Sequence, residues 1–311
     1  MLQKYKQAID EYLSSEVLLP KIIVIYGPTA CGKTALSLDI AEYLGSDIIS
    51  TDSRQIYRDM DIGTGKIKPS EMRGIRHHMI NVIDPSQIWS VVDYIDMALP
   101  IIEQIHSEGK IPILCGGTGL YIDGLLYEMG YPDTPPDWKY RDELEDIRLS
   151  KGNQELWNML ATIDPEYAHT LEVGNYRYVM RGLEVIRQTG ISKLTSIGKK
   201  TARFAPLYIT PYDDANRKEL YANIDRRVSE MFDNGLIGEI EYIVSQFSSH
   251  CPGLTTIGYR EVVDALKGNT TLEQAKSLIQ QRSRNYAKRQ ITWNRKYEYG
   301  NTSRQSSRFE K

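Results

Sequence analysis

The stretch Gly27-Pro28-Thr29-Ala30-Cys31-Gly32-Lys33-Thr34 constrains the fold more than any other part of the chain. It satisfies G-x-x-x-x-G-K-[ST] at every fixed position. Its surroundings have the required order. Lys21-Ile22-Ile23-Val24-Ile25-Tyr26 is a short β-branched run that reads as a buried strand, and Leu36, Ile40 and Leu44 then recur at helical spacing. Strand, glycine loop and helix together make a phosphate cradle. Glycines let backbone N–H groups close on phosphate oxygens, the helix N-terminus adds partial positive charge, Lys33 adds a full one, and the Thr34 hydroxyl can hold Mg²⁺. The loop alone leaves open which phosphate compound it takes and what becomes of it.

A length of 311 residues allows one large domain or two modest ones. No apolar run is long enough to span a membrane, and the first twenty residues carry Lys4, Lys6, Asp10, Glu11 and Glu16 with no cleavage pattern, so a cytosolic protein is expected. The three cysteines, Cys31, Cys115 and Cys251, form no C-x-x-C pair, which argues against a disulfide framework or a structural zinc site. A net charge of −3 exerts no global pull on nucleic acid, so any such binding must come from local patches.

Residues 1–20 read as a helical or partly ordered N-terminal extension ended by Pro20. After the loop helix, Asp47 to Ser50 forms a second strand that delivers Thr51-Asp52-Ser53-Arg54-Gln55 to its carboxyl end, the edge where ligands sit in doubly wound sheets. Asp52 there can be a general base, a metal ligand or a plain cap for the following turn. A strand is expected over Met79 to Ile83, and Ser90-Val91-Val92-Asp93 opens a helix that runs to about Glu108. The buried strand Ile111 to Cys115 feeds a second glycine loop, Gly116-Gly117-Thr118-Gly119, which is either a bare tight turn or a second set of donors on the same edge.

Turn residues crowd 131–137, and the pattern from 129 to 200 is helical only, over 138–150, 154–163 and 175–188. A strand resumes at Leu207-Tyr208-Ile209, so the α/β core is expected to be interrupted by a helical insertion and then completed. Helices follow over 214–232, 235–247, 258–267 and 271–297. The last crowds Arg282, Arg284, Lys288, Arg289, Arg295 and Lys296 with Tyr286, Trp293 and Tyr297, which suits either a nucleic acid or a solvated face with buried aromatics. The tail 300–311 is polar and reads as disordered.

Nucleotide hydrolysis or phosphoryl transfer is the default for such a loop, but its usual partner is an Asp closing a second apolar strand. The strand 111–115 ends in two glycines instead, and Asp84 after Ile83 is a weaker alternative. The loop could therefore hold a diphosphate as a leaving group. That chemistry asks for a cationic cradle, a hydrogen bond to the bridging oxygen and a carboxylate to take the nucleophile's proton.

The phosphate loop, Ser50 to Tyr57, Asp61-Ile62-Gly63-Thr64, Asp84-Pro85-Ser86, Gly116 to Tyr121, Arg181 to Val185, Ile257 to Glu261 and Ala287 to Trp293 occur in the order seen in bacterial tRNA dimethylallyltransferases, also called tRNA isopentenyltransferases. The resemblance covers about 21–297. It implies an α/β fold with a P-loop NTPase-like parallel sheet core (21–128 and 201–299) and an inserted helical domain for tRNA (129–200). It also implies transfer of a dimethylallyl group from dimethylallyl diphosphate to the exocyclic amine of the adenosine just 3′ of the anticodon, in tRNAs reading codons that begin with U. Mg²⁺ would be the cofactor and a monomer the working form.

Carried over by position, Asp52 resembles the general base, Thr118 the donor to the bridging oxygen, and Arg227 the arginine on the diphosphate. Gly27, Pro28, Thr29, Ala30, Cys31, Gly32, Lys33 and Thr34 resemble the diphosphate site, with Thr34 on the metal. Asp52, Ser53, Arg54, Gln55, Thr118, Arg141, Arg177, Tyr178, Arg181, Ile257, Gly258, Tyr259 and Arg260 resemble the parts that meet tRNA, joined by Lys288, Arg289 and Gln290. The chain departs from the pattern at Cys31, where many relatives have serine, and at Tyr178, where many have a second arginine.

Overall fold

A computed structural model describes residues 1–128, 134, 136–196 and 201–306. The chain divides into two compact units, Met1–Leu126 with Arg203–Lys311, and Tyr127–Ala202. The first unit opens with α1 (Gln3–Ser14), β1 (Lys21–Tyr26), α2 (Lys33–Leu44), β2 (Ile48–Ser50), β3 (His77–His78), α3 (Val91–Ser107), β4 (Ile113–Gly116) and α4 (Gly119–Leu126). The N-terminal segment is helical, as expected, and it is packed against the sheet. Ile9 on α1 is fully buried, and the Tyr12 hydroxyl donates to the Ile22 and Ala205 carbonyls and accepts from the Ile22 N–H, tying the helix to the sheet. The strand expected over 79–83 lies earlier, at His77–His78. Met79 (φ 62°) and Asn81 (φ 55°) turn left-handed and end it, and Ile83 keeps only an isolated bridge to Tyr57. Helix α3 starts as its sequence dictates, with Ser90 and Asp93 capping each other, and continues through Pro100.

The second unit comprises β5 (Tyr127–Glu128), α5 (Trp138–Lys151), α6 (Asn153–Ile163), α7 (Pro165–His169), α8 (Tyr176–Thr189), α9 (Lys193–Ser196) and β6 (Thr201–Ala202). It is not helical only, because β5 and β6 pair antiparallel at its two ends. Leu144, Leu156, Leu160, Tyr167, Ala168, Val179 and Leu183 form its core. Of the turn-rich stretch 131–137, residues 131–133 and 135 lie outside the described residues.

The chain then returns to the first unit as β7 (Ala205–Ile209), α10 (Arg217–Asp233), α11 (Leu236–Phe247), α12 (Tyr259–Leu266) and α13 (Leu272–Ser306). The expected tail does not begin at Gly300, since α13 runs on to Ser306; residues 307–311 lie outside the described residues. The sheet order is β3-β2-β4-β1-β7, with every pair parallel. Helices cover both faces of such a sheet, which is why β1 is an unbroken apolar run, buried from Ile22 to Tyr26. Parallel strands also put all their carboxyl ends on one edge. The phosphate loop after β1, Asp52 after β2 and Thr118 after β4 therefore share a rim.

Candidate active site

The phosphate loop needs its glycines for definite reasons. Gly32 sits at φ 91°, and a Cβ on Gly27 would stand 2.8 Å from the Cys31 sulfur. Lys33 folds its ammonium back onto the Pro28 carbonyl at 2.7 Å, over the loop it serves. The Thr34 side chain is exposed at the start of α2. Ala30 and Cys31 pack under Leu220 and Ile224 of α10 and Ala287 and Ile291 of α13, so the loop's outer turn is roofed by apolar side chains.

Asp52 does the capping that its position allows, since Oδ1 accepts from the Arg54 N–H at 2.9 Å. Its Oδ2 makes no hydrogen bond within the described residues. The neighbouring Ser53 N–H donates to the Thr118 hydroxyl at 3.0 Å, and the Thr118 N–H donates to the Thr51 carbonyl at 3.0 Å, so the two loops are pinned together. Gly116 permits this approach, because a Cβ there would meet Thr51 at 2.4 Å.

Arg227 reaches the same rim from α10 and donates to the Thr64 and Gly65 carbonyls, at 3.3 Å each. Burial draws its pKa down, while the charges of Asp52 and Glu230 hold it up. Gly65 must lack a side chain twice over: it lies at φ 57°, and a Cβ would fall 1.6 Å from the Arg227 guanidinium. The loop that bears Gly65 is itself held from two sides. Glu239 accepts from the Asp61, Ile62 and Gly63 N–H groups (2.9, 2.7 and 3.1 Å) and from the Tyr259 hydroxyl (2.6 Å). The buried Lys66 ammonium binds Asp61, Asn81 and the Tyr57 carbonyl.

A hydroxyl that the motifs did not single out also faces this centre. Burial and the Asp52 charge push the pKa of Tyr286, on α13, up to about 12, with Thr118 and the Arg54 and Arg289 charges opposing. Gln290, one turn on, joins the phosphate loop to the Thr118 loop. Asp84, the alternative acidic candidate, is exposed and paired with Arg58 at 2.9 Å.

The residues expected to meet tRNA fall into different settings. Lys288, Arg289 and Arg260 are exposed, and a groove of about 550 Å³ along α13 is lined by Lys288, Arg289, Thr292, Trp293 and Lys296. Ser53, Arg54 and Gln55 follow Asp52 on the rim, and Ile257 is half-buried. Tyr259 is fully buried against Glu239, Gly258 is buried with its N–H on Glu261, and Gln290 is 5% exposed, so these three are placed to support the rim and not to touch a polymer on the surface. In the second unit Arg177 and Tyr178 are exposed. Arg141 and Arg181 converge on the fully buried Glu184 (Arg141 Nη2 at 2.7 Å), which also accepts from the Asp137 N–H at 2.7 Å. Burial pushes the Glu184 carboxyl up, but the hydrogen bonds from Arg141, Arg181 and Asp137 outweigh it and hold it below the usual range.

The IPP transferase family profile matches residues 55–297. The chain belongs to the IPP transferase family. It is 42% identical over 279 residues to a tRNA dimethylallyltransferase of Halalkalibacterium halodurans, covering 88% of this chain and 87% of that protein. Among solved structures it resembles a tRNA isopentenylpyrophosphate transferase of Staphylococcus epidermidis (36% identity, TM-score 0.64, covering 88% of this chain and 90% of that one). It also resembles a eukaryotic dimethylallyltransferase acting on tRNA (31% identity, TM-score 0.73, covering 88% of this chain and 70% of that one). The family profile takes in Thr118, Arg227, all of the second unit and α13 as far as Tyr297.

Among the described residues no helix is long and apolar enough to cross a membrane. Nor does any group of three or more His, Cys, Asp or Glu side chains there form a metal cage. A hard cation that keeps most of its water and binds through substrate phosphates needs no such cage, so the exposed Thr34 hydroxyl beside a phosphate cradle fits Mg²⁺.

Proposed function

We propose that the protein transfers the dimethylallyl group of dimethylallyl diphosphate to the exocyclic amine of the adenosine just 3′ of the anticodon, in tRNAs reading codons that begin with U, and releases diphosphate. The observation that carries this reading is the hydrogen bond from the Ser53 N–H to Thr118. It holds a leaving-group donor one residue from the carboxylate Asp52, on the rim that bears the phosphate loop. Membership of the family and the likeness to enzymes named for this activity support it.

A stacked base cannot reach a carbon seated against that rim, so the adenosine is everted first. Its amine nitrogen attacks the allylic carbon as the carbon–oxygen bond breaks, and Asp52 accepts the proton that the nitrogen sheds. Electron density moves to the departing diphosphate, where the loop N–H groups, Lys33 and Arg227 face it and Thr118 donates to the bridging oxygen. Thr34 and the diphosphate oxygens would hold Mg²⁺, which offsets the negative charge of the leaving group. Arg260, Lys288 and Arg289 on the first unit, and Arg177 with Tyr178 on the second, offer exposed charge and stacking surface to the RNA. The tRNA substrate puts the reaction in the cytoplasm.

Incubation with dimethylallyl diphosphate and either unmodified tRNA or AMP tests the reading. Prenylated adenosine in tRNA is the expected result; product on AMP with none on tRNA would overturn it.

A further inference from the structure

The side chain of Gln290 joins two loops by hydrogen bonds. Its Oε1 accepts from the Thr29 N–H at 2.9 Å and its Nε2 donates to the Gly117 carbonyl at 3.0 Å. The partners fix the amide's orientation, because Thr29 offers only a donor there and Gly117 only an acceptor. The amide is 5% exposed, and a Cβ on Gly117 would stand 2.1 Å from Nε2, so the contact exists only because residue 117 is glycine.

The place of this amide is informative. Strands β1 and β4 are hydrogen-bonded neighbours whose last paired residues are Tyr26 and Gly116. Beyond them the chain leaves the ladder, on one side as the phosphate loop and on the other as the turn that carries Thr118. Gln290 supplies a side-chain rung where the backbone rungs stop. The same face of α13 continues along that turn: Trp293 lies where a Gly119 Cβ would come within 2.0 Å, and the Tyr297 hydroxyl reaches the Gly119 carbonyl at 3.3 Å. Lys288 and Arg289 of the same turns are exposed.

We propose that Gln290 is a positioning residue, which sets the separation between the phosphate loop and Thr118 so that the Thr118 hydroxyl meets the bridging oxygen of the bound diphosphate. This role rests on the transfer reaction proposed above. It also assigns to Gln290 an inward task, separate from the RNA contact that its neighbours Lys288 and Arg289 are free to make. Misplacing a donor by about 1 Å lowers a rate by up to about 100-fold without requiring weaker ground-state binding.

The test uses the full chain with Gln290→Met, which keeps size and loses both bonds, and Gln290→Glu, which keeps the acceptor for Thr29 and loses the donor to Gly117. Each is combined with Thr118→Ala. For Gln290→Met, kcat should fall about 10- to 100-fold, while the KM for tRNA and the Kd for inorganic diphosphate stay within about threefold. The double variant should be no slower than Thr118→Ala alone, since a misplaced donor and an absent one are equivalent. Losses that multiply in the double variant, or an unchanged kcat, would overturn the role. So would a fall in diphosphate and tRNA binding that tracks a fall in Tm, the mark of a merely structural residue. Should Gln290→Met fail to fold, Gln290→Glu carries the same cycle. Hydrogen exchange at 27–34 and 116–119 is read without any substrate, and faster exchange in Gln290→Met is expected. Absence of transfer by the wild-type protein would remove the reaction, and this role with it, whatever the exchange shows; intact transfer with unchanged exchange would remove the role alone.

Discussion

Replacing Glu239 with glutamine should perturb the proposed diphosphate site from a distance, through the loop that carries Gly65. Glu239 Oε2 accepts from the Asp61 and Ile62 N–H groups, and Oε1 accepts from the Gly63 N–H and the Tyr259 hydroxyl. A glutamine can keep an oxygen at only one of these places. The better placing keeps it at Oε2 and turns the amide toward the Tyr259 oxygen, which sets an N–H against the Gly63 N–H. One bond is then lost, one is reversed, and the two that survive lose their charge. With bonds to a charged group at about 1.5–3 kcal/mol and neutral ones at about 1, the loss is roughly 2–3 kcal/mol. Urea unfolding followed by far-UV circular dichroism would read it as a lower midpoint at unchanged slope. Arg227 hangs on the Thr64 and Gly65 carbonyls of the same loop, so kcat/KM for dimethylallyl diphosphate should fall by about 10-fold or more as its alignment loosens. A stability change under about 0.5 kcal/mol, the range of unremarkable surface substitutions, would refute the reasoning and leave Lys66 and Arg227 as the loop's anchors.

Three further outcomes are expected. Gly65→Ala should lower kcat/KM by about 100-fold or more, because the new Cβ and the Arg227 guanidinium cannot share the space, and near-normal kinetics would show that Arg227 can leave without consequence. Arg289→Ala should weaken tRNA binding and reduce the slope of log K against log salt by about one unit, and an unchanged slope would take this face of α13 away from the phosphates. Lys193, whose ammonium lies over the Tyr167 and Tyr178 rings, has its pKa drawn down to about 8 by burial and by Arg181, with Glu184 opposing. The unfolded chain then binds the extra proton between about pH 8 and the ordinary lysine value of 10.5, so this residue's contribution to stability rises with pH across that window and is lost as pH falls through the folded value. Lys193→Met should flatten that rise, and identical slopes in the two proteins would contradict it.

The parts of the fold that were legible are those fixed by local chemistry. An apolar run, a glycine loop and a helical period can follow one another in few ways, so β1, the loop and α2 were readable directly. Ser90 and Asp93 announced α3 in the same way. The strand at 77–78 was misplaced because Met79 gives no sign of the left-handed backbone it adopts, and Asn81, which tolerates that region, is only a weak one. Of the three readings of Asp52 the structure shows the cap, which uses one oxygen and leaves the other for either of the remaining two.

What sequence could not reveal are charges paired across long separations. Arg181 and Glu184 are one helical turn apart, but Arg141 joins them from another helix, and only the fold shows that two cations expected at an RNA surface share a buried carboxylate. Tyr259 stood in a motif that suggested contact with substrate, yet its ring fills the space over Gly63 and its hydroxyl serves Glu239. Glu239 itself carries no sequence signal, being an ordinary acidic residue in an amphipathic helix. The glycines at 63 and 65 were the clue, because close approach is what such residues permit.

The claim on which the account turns is that Asp52 takes the proton from the attacking amine. Asp52→Asn keeps an oxygen for the Arg54 N–H and removes the base, so single-turnover transfer at saturating tRNA and dimethylallyl diphosphate measures the claim directly. The account predicts a rate lower by about 10²- to 10⁴-fold with tRNA affinity close to wild type. Transfer at an ordinary rate, with the defect confined to tRNA binding, would contradict it.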